Sequence, residues 1–186
     1  VQAIGNLDYF KSWPSLTQKR IEVLQNWLTP RPISYCNIDI STLPIANRKI
    51  FIYAGNMGIA QGMDILLGLA EKLRGRPDVG FLFVGRGSEA ARLKSTAQLQ
   101  CLDNVVFFDE IDPDEIPDLY AQCDVGIVAL DPRHKSHNIP GKFLTYMQNG
   151  LPVLASINVG NDLIQLIRGE CVGQVSESNQ VGDLLE

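Results

Sequence analysis

The sequence predicts an α/β fold, an open, doubly wound parallel sheet, and three observations predict it. From Lys49 onward, short apolar runs alternate with longer amphipathic stretches. The runs are nearly continuous in apolar residues, as strands buried on both faces are. Most are bounded by Gly, Asp or Pro, which interrupt regular structure. Strands that alternate with helices specify parallel pairing, with the helices packed on both faces of the sheet.

The strands fall at Lys49–Ala54, Val79–Gly85, Asn104–Phe108, Asp124–Leu130, Pro152–Ser156 and Cys171–Val175. After the first, Met63, Leu66, Leu67, Ala70 and Leu73 recur at helical spacing and predict a helix over Gly62–Leu73. Further helices are predicted over Ser88–Gln100, Pro113–Gln122, Gly141–Asn149 and Asp162–Arg168. Asp112-Pro113-Asp114-Glu115 has the form of a helix start, with an N-cap acid, proline at the first position and Glu at the third. Gly150, just past Asn149, is a stop signal. The first 48 residues differ. Lys19–Leu24 reads as one more strand, ending at Asn26-Trp27 before Thr29-Pro30-Arg31-Pro32, where proline prevents continuation, and the stretch to Asn47 reads as loop or linker. The expected division is a segment 1–47, the end of a preceding domain or a linker, and a domain 48–186.

Composition limits what such a chain does. Among 186 residues, 45% are hydrophobic and 20% charged, enough for a soluble globular domain with a core. The net charge of −5 argues against nucleic acid as a partner, which would require a basic face. Cys36, Cys101, Cys123 and Cys171 form no Cys-x-x-Cys pair. All four are expected to be reduced and structural, Cys123 and Cys171 as small hydrophobes beside strands, which fits a cytoplasmic location. No apolar run approaches the ~18 residues of a membrane span. The opening Val1-Gln2-Ala3-Ile4-Gly5-Asn6 has neither the basic start nor the apolar core of a signal peptide, and a chain that opens on Val1 is expected to be a piece of something longer.

The most informative stretch runs from His137 through Asn138, Ile139, Pro140, Gly141 and Lys142 to Thr145. A polar, Gly/Pro-shaped loop there launches a short helix. Helix N-termini present free N–H groups and the positive end of a dipole, so they suit phosphate. Lys142 places a cation in the first turn, where a cation is otherwise disfavoured, and that placement makes sense beside a bound anion. The plain alternative is a solvated lysine at an ordinary junction. Between Pro132 and Thr145 the chain has Arg133, Lys135 and Lys142 with two histidines and no carboxylate.

Ligands of open α/β sheets bind at the carboxyl ends of the strands. Gly55-Asn56-Met57-Gly58-Ile59-Ala60-Gln61-Gly62 follows the first strand, and Gly85-Arg86-Gly87-Ser88 follows the second. Asp109-Glu110-Ile111 follows the third, the basic window the fourth, and Ser156–Asn161 the fifth. Any single glycine here also fits a tight turn with positive φ. A dinucleotide reading competes, because Gly85-Arg86-Gly87-Ser88-Glu89-Ala90 matches G-x-G-x-x-A and Asp109 ends the next strand, where a ribose-binding acid belongs. That unit is not the first βα of the sheet. No Gly-x-Ser-x-Gly, His-Glu-x-x-His or Walker A lysine motif is present, and His134 and His137 have no third partner for a metal.

In order along the chain, Tyr53-Ala54-Gly55-Asn56-Met57, Gln61-Gly62-Met63-Asp64, Phe83-Val84-Gly85-Arg86-Gly87 and Asn104–Phe108 resemble the C-terminal half of GT-B glycosyltransferases. Within that group the chain is most similar to glycosyltransferase family 4, including the bacterial polysaccharide and O-antigen enzymes. Glu115–Tyr120 with Cys123-Asp124-Val125 is similar to the helix and strand before that family's donor loop. Ile139-Pro140-Gly141-Lys142-Phe143, then Tyr146-Met147 and Gly150-Leu151-Pro152-Val153, resembles its donor-site segment. The resemblance covers about Lys19 to Arg168.

The resemblance implies one Rossmann-like half of a two-domain enzyme that transfers a sugar, with retention, from a nucleotide-diphosphate sugar to a hydroxyl on a lipid-linked glycan. It implies no metal or other cofactor. By position, the Gly55–Gly62 loop, with Asn56 and Gln61, would lie near the diphosphate and Gly85, Arg86 and Gly87 beside the nucleotide. Glu110 and Ile111 would present backbone to the base, and Asn138, Ile139, Pro140, Gly141 and Lys142 would hold sugar and phosphates. The implied partners are the nucleotide sugar, an N-terminal domain with the acceptor site and catalytic residues, and the lipid-linked acceptor; the whole enzyme would be cytoplasmic and peripheral at the inner membrane face. Four positions depart from the family. Asn56 and Gln61 stand where Arg and Lys often neutralise the diphosphate. His137 and Thr145 stand where two glutamates with seven residues between them are usual, the second commonly a ribose ligand. Lys142, Arg133 and Arg86 are the residues that could supply the lost charge. The alternatives are a GT-B-type nucleotide-sugar epimerase, a non-catalytic donor-like module and an NAD-binding dehydrogenase domain.

Overall fold

The computed structural model describes residues 1–11, 13–14, 19–29, 35–135, 137–178 and 180–185. Six strands, β1 (Lys49–Ala54), β2 (Val79–Val84), β3 (Val105–Phe108), β4 (Val125–Ala129), β5 (Val153–Ser156) and β6 (Gly173–Ser176), form one sheet in the order β3-β2-β1-β4-β5-β6. Every pairing is parallel. The helices are α1 (Asn6–Lys11), α2 (Asp64–Lys72), α3 (Ala90–Leu99), α4 (Ile116–Ala121), α5 (Gly141–Gln148) and α6 (Asp162–Glu170). The doubly wound sheet is therefore present, with each strand within a residue or two of its expected place.

Strand alternation builds two apolar layers. Ile50, Ile52 and Ala54 of β1, with Leu82 and Val84 of β2, face a layer that includes Leu119, Phe143, Tyr146 and Leu163. Tyr53 of β1, with Phe81 and Phe83 of β2, faces the opposite layer, with Leu66, Leu69 and Leu93. Helices α4, α5 and α6 thus cover one face and α2 and α3 the other. Because both faces are covered, the strands read as unbroken apolar runs.

Several expectations are corrected. Residues 19–24 form no strand. Leu24 N–H donates to Val1 O at 2.8 Å, which ties this segment to the chain's first residue and not to an edge of the sheet. Pro30, Arg31 and Pro32 lie outside the described residues. Helix α4 begins at Ile116, because Asp112 closes a turn instead of capping a helix. Its carboxylate accepts from Asp114 N–H and its carbonyl from Glu115 N–H, both at 2.9 Å. The stretch before Asn47 includes α1, and it sends Cys36, Ile38, Ile40 and Ile45 into the core. All four cysteines are free, but Cys101 and Cys171 are exposed. Cys171 caps the C-terminal end of α6 with φ 54, a left-handed position, and is no core hydrophobe. Burial holds the thiols of Cys36 and Cys123 above their usual pKa.

Candidate functional site

The chain winds from β1 to one side of the sheet and from β4 to the other, so β1 and β4 flank the switch point. Their ladder is short, with Phe51 opposite Val125 and Ile52 opposite Gly126. Tyr146 of α5 fills the split beyond. Its hydroxyl lies 3.1 Å from the carbonyls of both Ile52 and Ile127 and shares one proton between them. Its ring lies against Gly126, where a Cβ would come within 2.4 Å of a ring carbon. Burial raises the pKa of this phenol well above its ordinary value, so it stays a donor.

A cavity of about 640 Å³ opens at the carboxyl ends of the strands. Gly55 and Asn56 reach it from β1, Gly85 and Arg86 from β2, Glu110 and Ile111 from β3, and Lys142 and Thr145 from α5. These eight predicted site residues are brought together. Its other wall is more apolar and was missed in the sequence: Leu28, Pro113, Ile116, Pro117 and Tyr120, with Gln148 and Asn149 from the last turn of α5. Gln148 and Asn149 follow Thr145 at the i+3 and i+4 spacing that shares a helix face, which is the signal that could have found them.

Lys142 is half-buried, and its ammonium sits 3.4 Å from the centroid of the Tyr53 ring. Tyr53 belongs to the far core layer, so the side chain reaches from α5 across the carboxyl rim of the sheet. Nζ also lies 3.7 Å from where a Cβ of Gly55 would be. No carboxylate among the described residues comes within 4.0 Å of it. Burial without a counter-ion pulls its pKa down to about 7. No side chain caps the N-terminus of α5, where Pro140 is the flanking residue. The Tyr53 hydroxyl donates to Asn56 O at 2.6 Å, so the ring beneath the ammonium also holds the β1 loop.

Two other cations of the region, Arg133 and Arg86, are already paired. Arg133 sits on both carboxylate oxygens of Asp131, at 2.9 Å and 2.5 Å, which holds that carboxyl down at about 2. The acid lies one residue before Pro132, just outside the window that reads as free of carboxylates. Arg86 Nε lies 2.8 Å from Glu110 Oε2 at the cavity mouth. Lys142 is thus the cavity-lining cation with no carboxylate partner among the described residues.

Seven predicted residues do not line this cavity. Gln61 Oε1 accepts from Asn56 Nδ2 at 3.1 Å and Gly58 N–H at 3.0 Å, bracing the β1 loop. His137 Nδ1 is 2.8 Å from Gly160 O and 3.8 Å from Asp162, and Asn138 Oδ1 accepts from Asn6 Nδ2 at 2.8 Å. Ile139 packs on the core, while Pro140 and Gly141 only start the helix. Gly87 lines a smaller recess of about 330 Å³ with Asp109.

The dinucleotide-like glycines have another purpose here. A Cβ at Gly85 would lie 2.0 Å from Gly55 O, and one at Gly87 2.4 Å from Met57 O. Met57 O accepts from Glu89 N–H at 2.9 Å, at the start of α3. These glycines let the β1 and β2 loops touch. Among the described residues there is no group of three or more metal-ligating side chains, and no helix is long and apolar enough to cross a membrane.

Order of strands, switch-point cavity and unpaired cation together define a Rossmann-like ligand domain of the kind found in GT-B glycosyltransferases. The chain belongs to the group 1 glycosyl transferases, which match residues 48–184. Over 120 residues it is 31% identical to WcaI of Escherichia coli (strain K12), by its name a candidate glycosyl transferase of colanic acid biosynthesis, covering 64% of this chain and 29% of WcaI. The fold is similar to that of a TarM mutant of S. aureus solved with Fondaparinux, alpha-GlcNAc-glycerol and UDP (TM-score 0.71, 15% identity, 99% of this chain and 34% of TarM). It is also similar to WaaG, a glycosyltransferase involved in lipopolysaccharide biosynthesis (TM-score 0.69, 16% identity, 99% and 50%). Anabaena HepE, solved with UDP and glucose, is a further neighbour (TM-score 0.62, 20% identity, 75% and 37%). The chain therefore spans less than a third of the curated relative and no more than half of these structures.

Proposed function

We propose that this chain is the donor-binding half of a retaining glycosyltransferase that moves a sugar from a nucleotide-diphosphate carrier to a hydroxyl of a lipid-linked glycan. The observation that carries the reading is Lys142, an ammonium with no carboxylate partner among the described residues, held over Gly55 in the switch-point cavity, since a partly desolvated cation is stabilised by an anion that enters. The UDP bound to TarM and HepE supports a nucleoside diphosphate as that anion.

In this reading the diphosphate lies between the Gly55–Gly62 loop and the start of α5. The nucleotide lies along Gly85 and Gly87, with the base at the Glu110–Ile111 backbone and the sugar toward Asn138–Gly141. Thr145 supplies a hydroxyl to the ribose. As the glycosidic bond breaks, negative charge grows on the leaving diphosphate, and Lys142 with the N–H groups of α5 stabilises it. The acceptor site and catalytic groups belong to an N-terminal domain, and residues 1–47 lead from it into this one, with Cys36, Ile38, Ile40 and Ile45 already packed in this core. The whole enzyme works in the cytoplasm, peripheral to the inner membrane face.

Isothermal titration with UDP, GDP and ADP, then NAD, with and without magnesium, tests this. Selective binding of one diphosphate, independent of magnesium, is expected and names the base. Silence toward all three diphosphates from the folded chain would favour a donor-like module without a ligand.

A further inference from the structure

A nucleotide-sugar diphosphate carries one negative charge on each phosphate, and among the described residues the cavity offers one cation without a carboxylate partner. The β1 loop adds no charge, since Asn56 and Gln61 are neutral and bonded to each other. Among the described residues, the only other Lys or Arg lining the cavity is Arg86.

Its position is set by backbone, not by its own side chain. Gly55 N–H donates to Val84 O at 2.9 Å, and Met57 N–H donates to Arg86 O at 2.7 Å. Gly85 and Gly87, on either side of it, sit against the carbonyls of Gly55 and Met57 at distances no Cβ would allow. The root of Arg86 is therefore clamped beside Asn56, on the loop that faces the proposed diphosphate. Its guanidinium is free to swing on a long stem. At rest it pairs with Glu110, and the two side chains are 80% and 55% exposed. An ion pair so exposed to water is worth little, whereas a phosphate offers a guanidinium a stronger, bidentate partner.

We propose that Arg86 is the second cation of the diphosphate site and that Glu110 is its resting counter-ion, exchanged for phosphate when the nucleotide enters. This rests on the donor-site reading above. Glu110 is then a competitor of the ligand, so removing its charge strengthens binding.

The test is calorimetry on this chain with UDP, GDP and ADP, each beside its monophosphate, for wild type, Arg86→Gln, Glu110→Gln and the double variant. Both side chains are exposed, and circular dichroism confirms that each variant is folded. Arg86→Gln is expected to weaken the diphosphate about tenfold or more, and the monophosphate less. Glu110→Gln is expected to tighten the diphosphate about two- to fivefold. The double variant should match Arg86→Gln, because Glu110 acts only through Arg86. Unchanged diphosphate affinity in Arg86→Gln, or no gain in Glu110→Gln, overturns the exchange while leaving the donor site standing. A double variant that binds tighter than Arg86→Gln also overturns it, since Glu110 would then repel the ligand directly. A wild-type chain that binds no diphosphate overturns the donor-site reading and this proposal with it.

Discussion

Lys142 has opposite effects on binding and on stability. It is charged at some cost in the empty cavity and welcome once an anion is there. Lys142→Ala should weaken nucleotide-diphosphate affinity by about tenfold or more, the loss of a charged hydrogen bond, as read by titration. The pH dependence follows from a free pKa of about 7 that a bound diphosphate raises. Affinity for a nucleotide sugar, whose diphosphate diester does not titrate there, should be flat below pH 7 and fall above it, with proton uptake on binding. Stability runs the other way. Between pH 7 and the unfolded lysine value of about 10.4, the unfolded chain binds one more proton at this position, so stability rises with pH across that window. Lys142→Met should therefore raise the melting temperature at pH 6.5 and lose that advantage by about pH 10.5. Equal effects at both pH values would mean that the ammonium is not desolvated.

At the scale of elements, the site depends on how two strands part. Tyr146 of α5 bridges the carbonyls of Ile52 and Ile127 where β1 and β4 stop pairing. Tyr146→Phe leaves both carbonyls without that donor and should cost about 1–3 kcal/mol in denaturant unfolding. Gly126→Ala, whose Cβ would press into the same ring, should be destabilising by a similar about 1–3 kcal/mol through overpacking. The helix that carries Tyr146 and Lys142 was legible in the sequence at both ends, from Gly141 and from Asn149-Gly150. The start of α4 was not, because Asp112-Pro113-Asp114-Glu115 serves equally as a turn. The order of capping residues alone does not say how soon the helical hydrogen bonds begin.

For the whole molecule, the sheet was legible because its strands are buried on both faces and each ends in a breaker residue. The site was half legible. Residues next to a strand end, such as Gly55, Gly85 and Glu110, converge because the topology brings every carboxyl end to one rim. Those placed by a linear window go elsewhere: Arg133 turns back to Asp131, and His137 reaches Gly160 on a distant loop, a pairing that spacing could not reveal. The apolar wall from Leu28 to Tyr120 joins distant segments and has no local signature. On the proposal that this chain is a donor-binding half, it is expected to bind a nucleoside diphosphate and to transfer no sugar by itself. Radiolabelled donor incubated with the chain alone and with the full-length protein checks this, and turnover by the chain alone would place the catalytic groups within these 186 residues.

The ammonium seated on Tyr53 has a consequence for reactivity. With its pKa pulled down to about 7, Lys142 is a free amine with a nucleophilic lone pair in a far larger share of molecules at pH 7 than an ordinary lysine. A trace of acetic anhydride should then acylate this lysine at neutral pH. A diphosphate that restores its proton should silence it, so the labelling yield at one peptide measures how much of the cavity is filled.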